Sequence, residues 1–260
     1  MTFFSDVNKP IPGSRNSAPY ITGLTASMNG TTPTTDLVLL AGACSDSNNI
    51  IDMVVPSNIA ISATYEGVNG IDNAAALTAS SVYYVYVIGS SNGFKSPQAI
   101  LSKTATGPAL PDGYDCWRMV DIKVTGSGST FLLSYTNEVN LGREFIYDAP
   151  VLVLNAGAAN TFTAVTLANV VPPIDSIDVR FIASITPVAI TGAGDTINLR
   201  PTGSASTSYA TLSGVVAAKA QIDDLECPAF LAAGVPKVDY TLTASGDAAS
   251  LWVKSFTYSV

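Results

Sequence analysis

Two carboxylic acids are enough to hydrolyse a glycosidic bond, provided they face one another across the sugar. The chain offers two candidate groupings, Asp223-Asp224-Leu225-Glu226 and Glu138 with Glu144. Neighbours on one strand or loop do not by themselves face each other, and no cleft is legible around either group, so both read as solvated acids. Asp46-Ser47-Asn48-Asn49 gathers oxygen ligands at short spacing, as a calcium loop does. No EF-hand pattern or acidic repeat follows it, and turn formation accounts for the same residues. Gly192-Ala193-Gly194-Asp195 and Gly126-Ser127-Gly128 lack the Lys-Ser/Thr that completes a phosphate loop, and they read as hairpin turns. Cys44, Cys116 and Cys227 are odd in number, far apart and without CxxC spacing, which describes reduced, buried thiols. Tyr83, Tyr84 and Tyr86, and likewise Trp252, Phe256 and Tyr258, read first as core residues, with sugar stacking or a subunit contact as the alternative. No catalytic, cofactor-binding or metal-binding residue is therefore assigned, and no cofactor is expected.

Composition narrows the chemistry further. There is no histidine in 260 residues, which removes Ser-His-Asp and Cys-His catalysis and histidine-ligated zinc. A net charge of −8, with 12 scattered basic residues, argues against nucleic acid as a partner. Charged residues make up only 12% while 47% are apolar, and 27 Ser and 26 Thr supply the polar surface instead. Such a chain fills a core and suits a β-sheet protein exposed outside cells. The longest charge-free stretch, residues 149–174, contains Asn155, Asn160, Asn169 and Pro172-Pro173. It reads as consecutive strands, and membrane insertion is not expected. The segment from Met1 to Asp6 has neither a basic n-region nor an apolar h-region. The expectation is synthesis in a cytoplasm without a signal peptide, in keeping with free thiols.

The elements that would position these residues are strands. Residues 1–35 are rich in Asn, Ser, Thr, Pro and Gly and have little periodicity, so an extended amino-terminal attachment arm is expected there. A first β module spans 36–147. In it, Val82-Tyr83-Tyr84-Val85-Tyr86-Val87-Ile88 is apolar on both faces, the mark of a strand covered on both sides. Gly89 to Gly93 turns it into a hairpin with Ile100-Leu101-Ser102. Val120, Ile122 and Val124 alternate with Asp121 and Lys123, which predicts a half-buried strand, and Phe131 to Tyr135 is expected to be its hairpin partner. A second β-sandwich or jelly-roll module spans 148–260, separated from the first by a charged, less periodic stretch over 137–147 that is the natural hinge. Ile177, Val179, Phe181, Ala183 and Ile185 line one face of a strand, and Val238, Tyr240 and Leu242 line another. Trp252, Phe256 and Tyr258 are expected along one side of the closing strand, and Val215 to Ala220 could make a helical turn. The fold class is all-β: two antiparallel β-sandwich or jelly-roll-like modules behind an extended arm.

The order of several segments resembles that in tailed-bacteriophage fibre and appendage proteins. Asp36-Leu37-Val38-Leu39-Leu40-Ala41-Gly42-Ala43-Cys44-Ser45-Asp46-Ser47 is similar to an apolar strand, Ala-Gly and Asp-Ser opening common in that group. Gly70-Ile71-Asp72-Asn73, then Ser81-Val82-Tyr83-Tyr84-Val85-Tyr86-Val87-Ile88, then Ala105-Thr106-Gly107-Pro108-Ala109-Leu110-Pro111-Asp112-Gly113-Tyr114 follow in the same order. Arg118-Met119-Val120-Asp121-Ile122 stands where the group has a basic, apolar strand, and the second module resembles the distal β-domain that accompanies it. The match departs where Gly70-Ile71-Asp72-Asn73 lacks a Thr-Gly ending and where Arg118 is a single base instead of a pair. The resemblance implies a non-enzymatic virion structural protein: a tail fibre, tail-tip or head-decorating component. Its implied partners are other virion proteins of capsid or tail, two further copies in a homotrimer, and host-surface polysaccharide. The alternatives are a polysaccharide depolymerase, which would need an acidic cleft, and a carbohydrate-binding adhesin module of cellular origin.

Overall fold

The computed structural model describes residues 19–139, 142–174, 177–189, 195–206 and 208–260. As the alternating patterns predict, the protein is all-β, with 55% of residues in strands and no helix among the described residues. Six short strands come first: β1 (Ile21–Gly23), β2 (Ala26–Met28), β3 (Asp36–Leu39), β4 (Gly42–Ser45), β5 (Asp52–Val55) and β6 (Ile59–Ser62). They pair antiparallel into two three-stranded sheets, ordered β1-β4-β5 and β2-β3-β6. β7 (Val82–Gly89), β8 (Gln98–Ser102) and β9 (Cys116–Val124) form a third, ordered β8-β7-β9.

The remaining strands are β10 (Ser134–Val139), β11 (Gly142–Gly157), β12 (Thr163–Thr166), β13 (Ile177–Thr186), β14 (Asp195–Pro201), β15 (Ala210–Gly214), β16 (Gln221–Ala232), β17 (Val235–Leu242) and β18 (Ala248–Tyr258). They build one nine-stranded sheet, ordered β10-β11-β18-β13-β16-β17-β14-β15 with β12 on β17, curled into a half-barrel. The β8-β7-β9 sheet is the middle layer, and this is why β7 is apolar throughout. Tyr84, Tyr86 and Ile88 enter the core of the half-barrel, where Phe145 stacks on Phe256 at 4.8 Å. Tyr83, Val85 and Val87 enter a second core with Leu24, Leu37, Leu39, Met53 and Ile61. Each fully buried large side chain contributes about 1.5–3 kcal/mol on either side, so the middle sheet ties two cores together.

Several local expectations change. Within the segment expected to be an extended arm, residues 21–28 form β1 and β2, and Leu24 is fully buried. Three-residue strands carry no readable period, which hid them. The preceding residues 1–18 lie outside the described residues. The hairpin partner of β9 is not the 131–135 segment: Phe131 makes one isolated bridge to Thr125, and β10 pairs with β11. The charged 137–147 stretch is itself mostly that β10–β11 hairpin. β11 runs through residues 147 and 148, where the second module was expected to begin, and it loses register with β18 between Ile146 and Val151. Asp148-Ala149-Pro150 marks this bulge, where a proline removes no ladder donor. Residues 216–219 form a turn in place of a helix, closed by Lys219 N–H donating to the Val216 carbonyl, with Ala218 at φ 55°. On β18, Arg180 pairs with Ser255 and Phe181 with Val253, so Lys254 is an extra residue. That bulge shifts the inward face, burying Phe256 and Tyr258 while leaving Trp252 half-buried on the other side.

Candidate functional site

A buried ionic knot lies where the three layers meet. Asp121 and Lys123, expected on the solvent face of β9, are both fully enclosed at 0% exposure. Their register partners on β7 are Val85 and Tyr83, the residues that face the second core, so the amino-terminal strands fold over them. Alternation alone assigns polar residues to water; here a further layer covers the polar face. The Asp121 carboxylate accepts hydrogen bonds from Ala26 N at 2.6 Å, Ile122 N at 2.7 Å, Thr136 Oγ1 at 2.9 Å and Tyr258 OH at 3.0 Å. Lys123 Nζ lies 3.4 Å from Asp121 Oδ2, donates to Thr136 Oγ1 at 3.1 Å and sits over the Phe145 ring. Arg143, 2% exposed, donates to the carbonyls of Leu24 at 2.9 Å and Gly23 at 2.5 Å, and pairs with Glu138 at 3.8 Å.

Burial pushes the Lys123 ammonium below its ordinary pKa, against the opposing pull of Asp121. It pushes the Tyr258 hydroxyl well up, and the Asp121 charge adds to that shift. The Asp121 oxygens accept from four donors and the carboxylate itself is closed to solvent. Such a cluster staples residues 23–26 to β9, β10, β11 and β18, and it has no face to offer a substrate.

The acids singled out in the sequence do not come together. Glu138 pairs in register with Arg143, and Glu144 with Asn137, so the two glutamates occupy successive register positions and point to opposite faces of the β10–β11 hairpin. Glu144 accepts from Ser255 Oγ at 2.9 Å. Asp223, Asp224 and Glu226 are exposed on β16, where Asp224 pairs with Lys254 at 2.6 Å and Glu226 lies opposite Arg180. Two surface grooves, of about 310 and 420 Å³, contain no carboxylate and Glu138 alone, respectively. Asp46 Oδ1 accepts the N–H groups of Ile50 at 2.6 Å and Ile51 at 2.9 Å, so that acid caps its own turn. Gly126-Ser127-Gly128 is a tight turn, with Gly126 N–H donating to the Thr130 carbonyl. Gly192-Ala193-Gly194 lies outside the described residues.

The three cysteines are free and buried, as expected. Burial pushes Cys44 and Cys227 up to about 12 and Cys116 to about 11, which keeps all three as unreactive thiols at neutral pH. The tyrosines of β7 are all core residues, and Tyr86 meets Trp117 edge-on at 5.3 Å.

The other conspicuous landmarks hold backbone corners. A Cβ on Gly42 would lie 2.2 Å from the Thr22 carbonyl oxygen, and one on Gly70 would lie 2.4 Å from that of Tyr65. Beyond Asp121, Lys123 and Asp239, buried on strand faces that alternation reads as polar, three further buried charges escaped the sequence reading: Arg143, Asp195 and Asp247. Each continues an inward apolar row, Arg143 with Phe145 and Tyr147, Asp195 with Ile197 and Leu199, Asp247 with Ala249 and Leu251. Following the period through the charged residue would have found all three. No protein-family model matches the chain, and no curated protein matches it.

Proposed function

We propose that the chain is a non-enzymatic structural component of a tailed-phage virion, a fibre, tail-tip or head-decorating protein made in the host cytoplasm and held on the particle through its amino-terminal segment. The observation that carries this reading is the place of the landmark residues. Gly42 and Gly70 permit backbone contacts that no side chain allows, Asp46 caps the β4–β5 turn, and Tyr86 packs on Trp117, whose ring lies against Gly107. Gly42, Gly70 and Asp46 shape turns and close approaches in the amino-terminal layers, and Tyr86 fills the core of the half-barrel. An ordered set of motifs that specifies a shape and no active centre suits an assembly part.

In this reading capsid or tail proteins are the first partners. Two further copies of the chain in a homotrimer, or a neighbouring virion protein, cover Val188, Val215 and Val216, which are 66%, 61% and 46% exposed. Host-surface polysaccharide would be met by exposed loops, and a net charge of −8 with scattered basic residues argues against nucleic acid. Peptide mass spectrometry of purified particles tests the assignment. The expected result is this chain at a copy number that is a multiple of three. Its absence, together with release of reducing ends from host polysaccharide by the purified protein, would restore the depolymerase.

A further inference from the structure

The half-barrel holds a second buried charge cluster, with no counter-ion among the described residues. Asp195 opens β14, and Asp247 sits in the turn between β17 and β18; they are 3% and 1% exposed. Asp195 pairs across β14 and β15 with Gly214, which packs against Pro187, and Asp247 accepts the N–H of the adjoining Val188, so the two carboxylates converge on the segment that follows β13; burial and then the Asp247 charge push the Asp195 carboxyl up. Asp247 Oδ1 accepts the Val188 N–H at 3.0 Å, which fixes the orientation of that carboxylate. Among the described residues, Oδ2 of Asp247 and Oδ2 of Asp195 have no hydrogen-bond partner. Among the described residues neither aspartate has an ion pair. Lys219, on the neighbouring turn, is exposed.

Two enclosed carboxylates with a free oxygen each, side by side and without a cation, are an electrostatic deficit, because buried charge persists only when paired or metal-bound. We propose that Asp195 and Asp247 form a binding site for a hard divalent cation, Ca²⁺ above all, held between their Oδ2 atoms. Every side-chain donor at hand is oxygen, with no imidazole or thiolate, which selects Ca²⁺ or Mg²⁺ over zinc or copper. Ca²⁺ is favoured because its irregular coordination accepts two carboxylates plus water, where Mg²⁺ demands a near-ideal octahedron. With only two protein carboxylates, the site belongs with weak extracellular calcium modules, of Kd about 10⁻⁴–10⁻³ M. The ion would clamp three segments at one end of the half-barrel: the end of β13 through Val188, the start of β14, and the β17–β18 turn. This inference does not depend on where the protein resides.

The test uses the full chain, freed of metal by chelation, with CaCl₂ as the probe at pH 7.5. Titration calorimetry is expected to show one Ca²⁺ per chain, with a weaker response to MgCl₂. Melting with 10 mM CaCl₂ is expected about 3–6 °C above the metal-free value. D195N and D247N each remove one ligand charge and relieve the repulsion. Both are expected to melt no lower than the metal-free wild type, which shows that they fold, and to lose the calcium shift. A calcium shift that persists in both variants overturns the site. So does a wild-type chain that gives neither binding heat nor a shift up to 10 mM, the behaviour of a pair that shares a proton instead.

Discussion

Replacing Asp121 by asparagine separates a structural staple from a dispensable surface pair. The carboxylate serves four neutral donors between 2.6 and 3.0 Å and one ammonium at 3.4 Å, and both it and the ammonium are shielded from water. D121N keeps the volume but turns an NH₂ group toward those donors and leaves Lys123 charged in the core, a loss of about 3–5 kcal/mol. K123M is expected to cost less, about 1–2 kcal/mol, because it forfeits the longest contact of the set and leaves Asp121 with its neutral donors. The double variant should then be less damaging than the sum of the two, by about 1–3 kcal/mol, since the stranded ammonium is gone. Urea unfolding followed by the fluorescence of Trp117 and Trp252 measures all four proteins, with the midpoint moving at constant slope. A D121N cost below about 1 kcal/mol, or a K123M cost equal to it, would refute the assignment of Asp121 as the hub.

Three further outcomes follow from the same geometry. Arg143→Ala strands the carbonyls of Gly23 and Leu24, so residues 19–28 should become the first site of limited proteolysis, with global stability down about 3–5 kcal/mol; unchanged cleavage kinetics would contradict the staple. Gly42→Ala places a methyl 2.2 Å from a backbone oxygen that no rotamer can move, and should lower stability by about 2–3 kcal/mol or more, measured by thermal melting. The thiols set an alkaline limit: their folded pKa values of about 12, 11 and 12 lie above the unfolded value of 9.0. Their contribution is complete below pH 9 and is lost as pH rises toward 11–12, at up to roughly 1.4 kcal/mol per pH unit per group. Urea midpoints flat between pH 9 and 11, or rapid thiol titration of the native protein at pH 8, would contradict that burial.

The period-2 rows of β13 and β17 and the two-faced apolar run of β7 were legible because each such face is buried against a layer, and burial leaves a pattern. β1 and β2 were not, because three residues make no period and their partners, β4 and β3, are set by tertiary pairing. The bulge at Lys254 was invisible for a related reason: one extra residue reverses which side faces inward, and nothing local announces it. Asp121 and Lys123 were seen, and their strand was correctly found, but the layer that covers them is supplied by residues about a hundred positions away. Charge in a strand says where water would be preferred; whether another sheet arrives first is a property of the whole fold.

The proposed role as an architectural part of a virion is tested most directly by cryo-electron microscopy of the particle that encodes this chain. The account predicts density for the half-barrel and its middle sheet on the tail or the capsid, with residues 19–28 on the particle side and three copies around an axis. Particles that lack this density while the protein remains free in the lysate would contradict it.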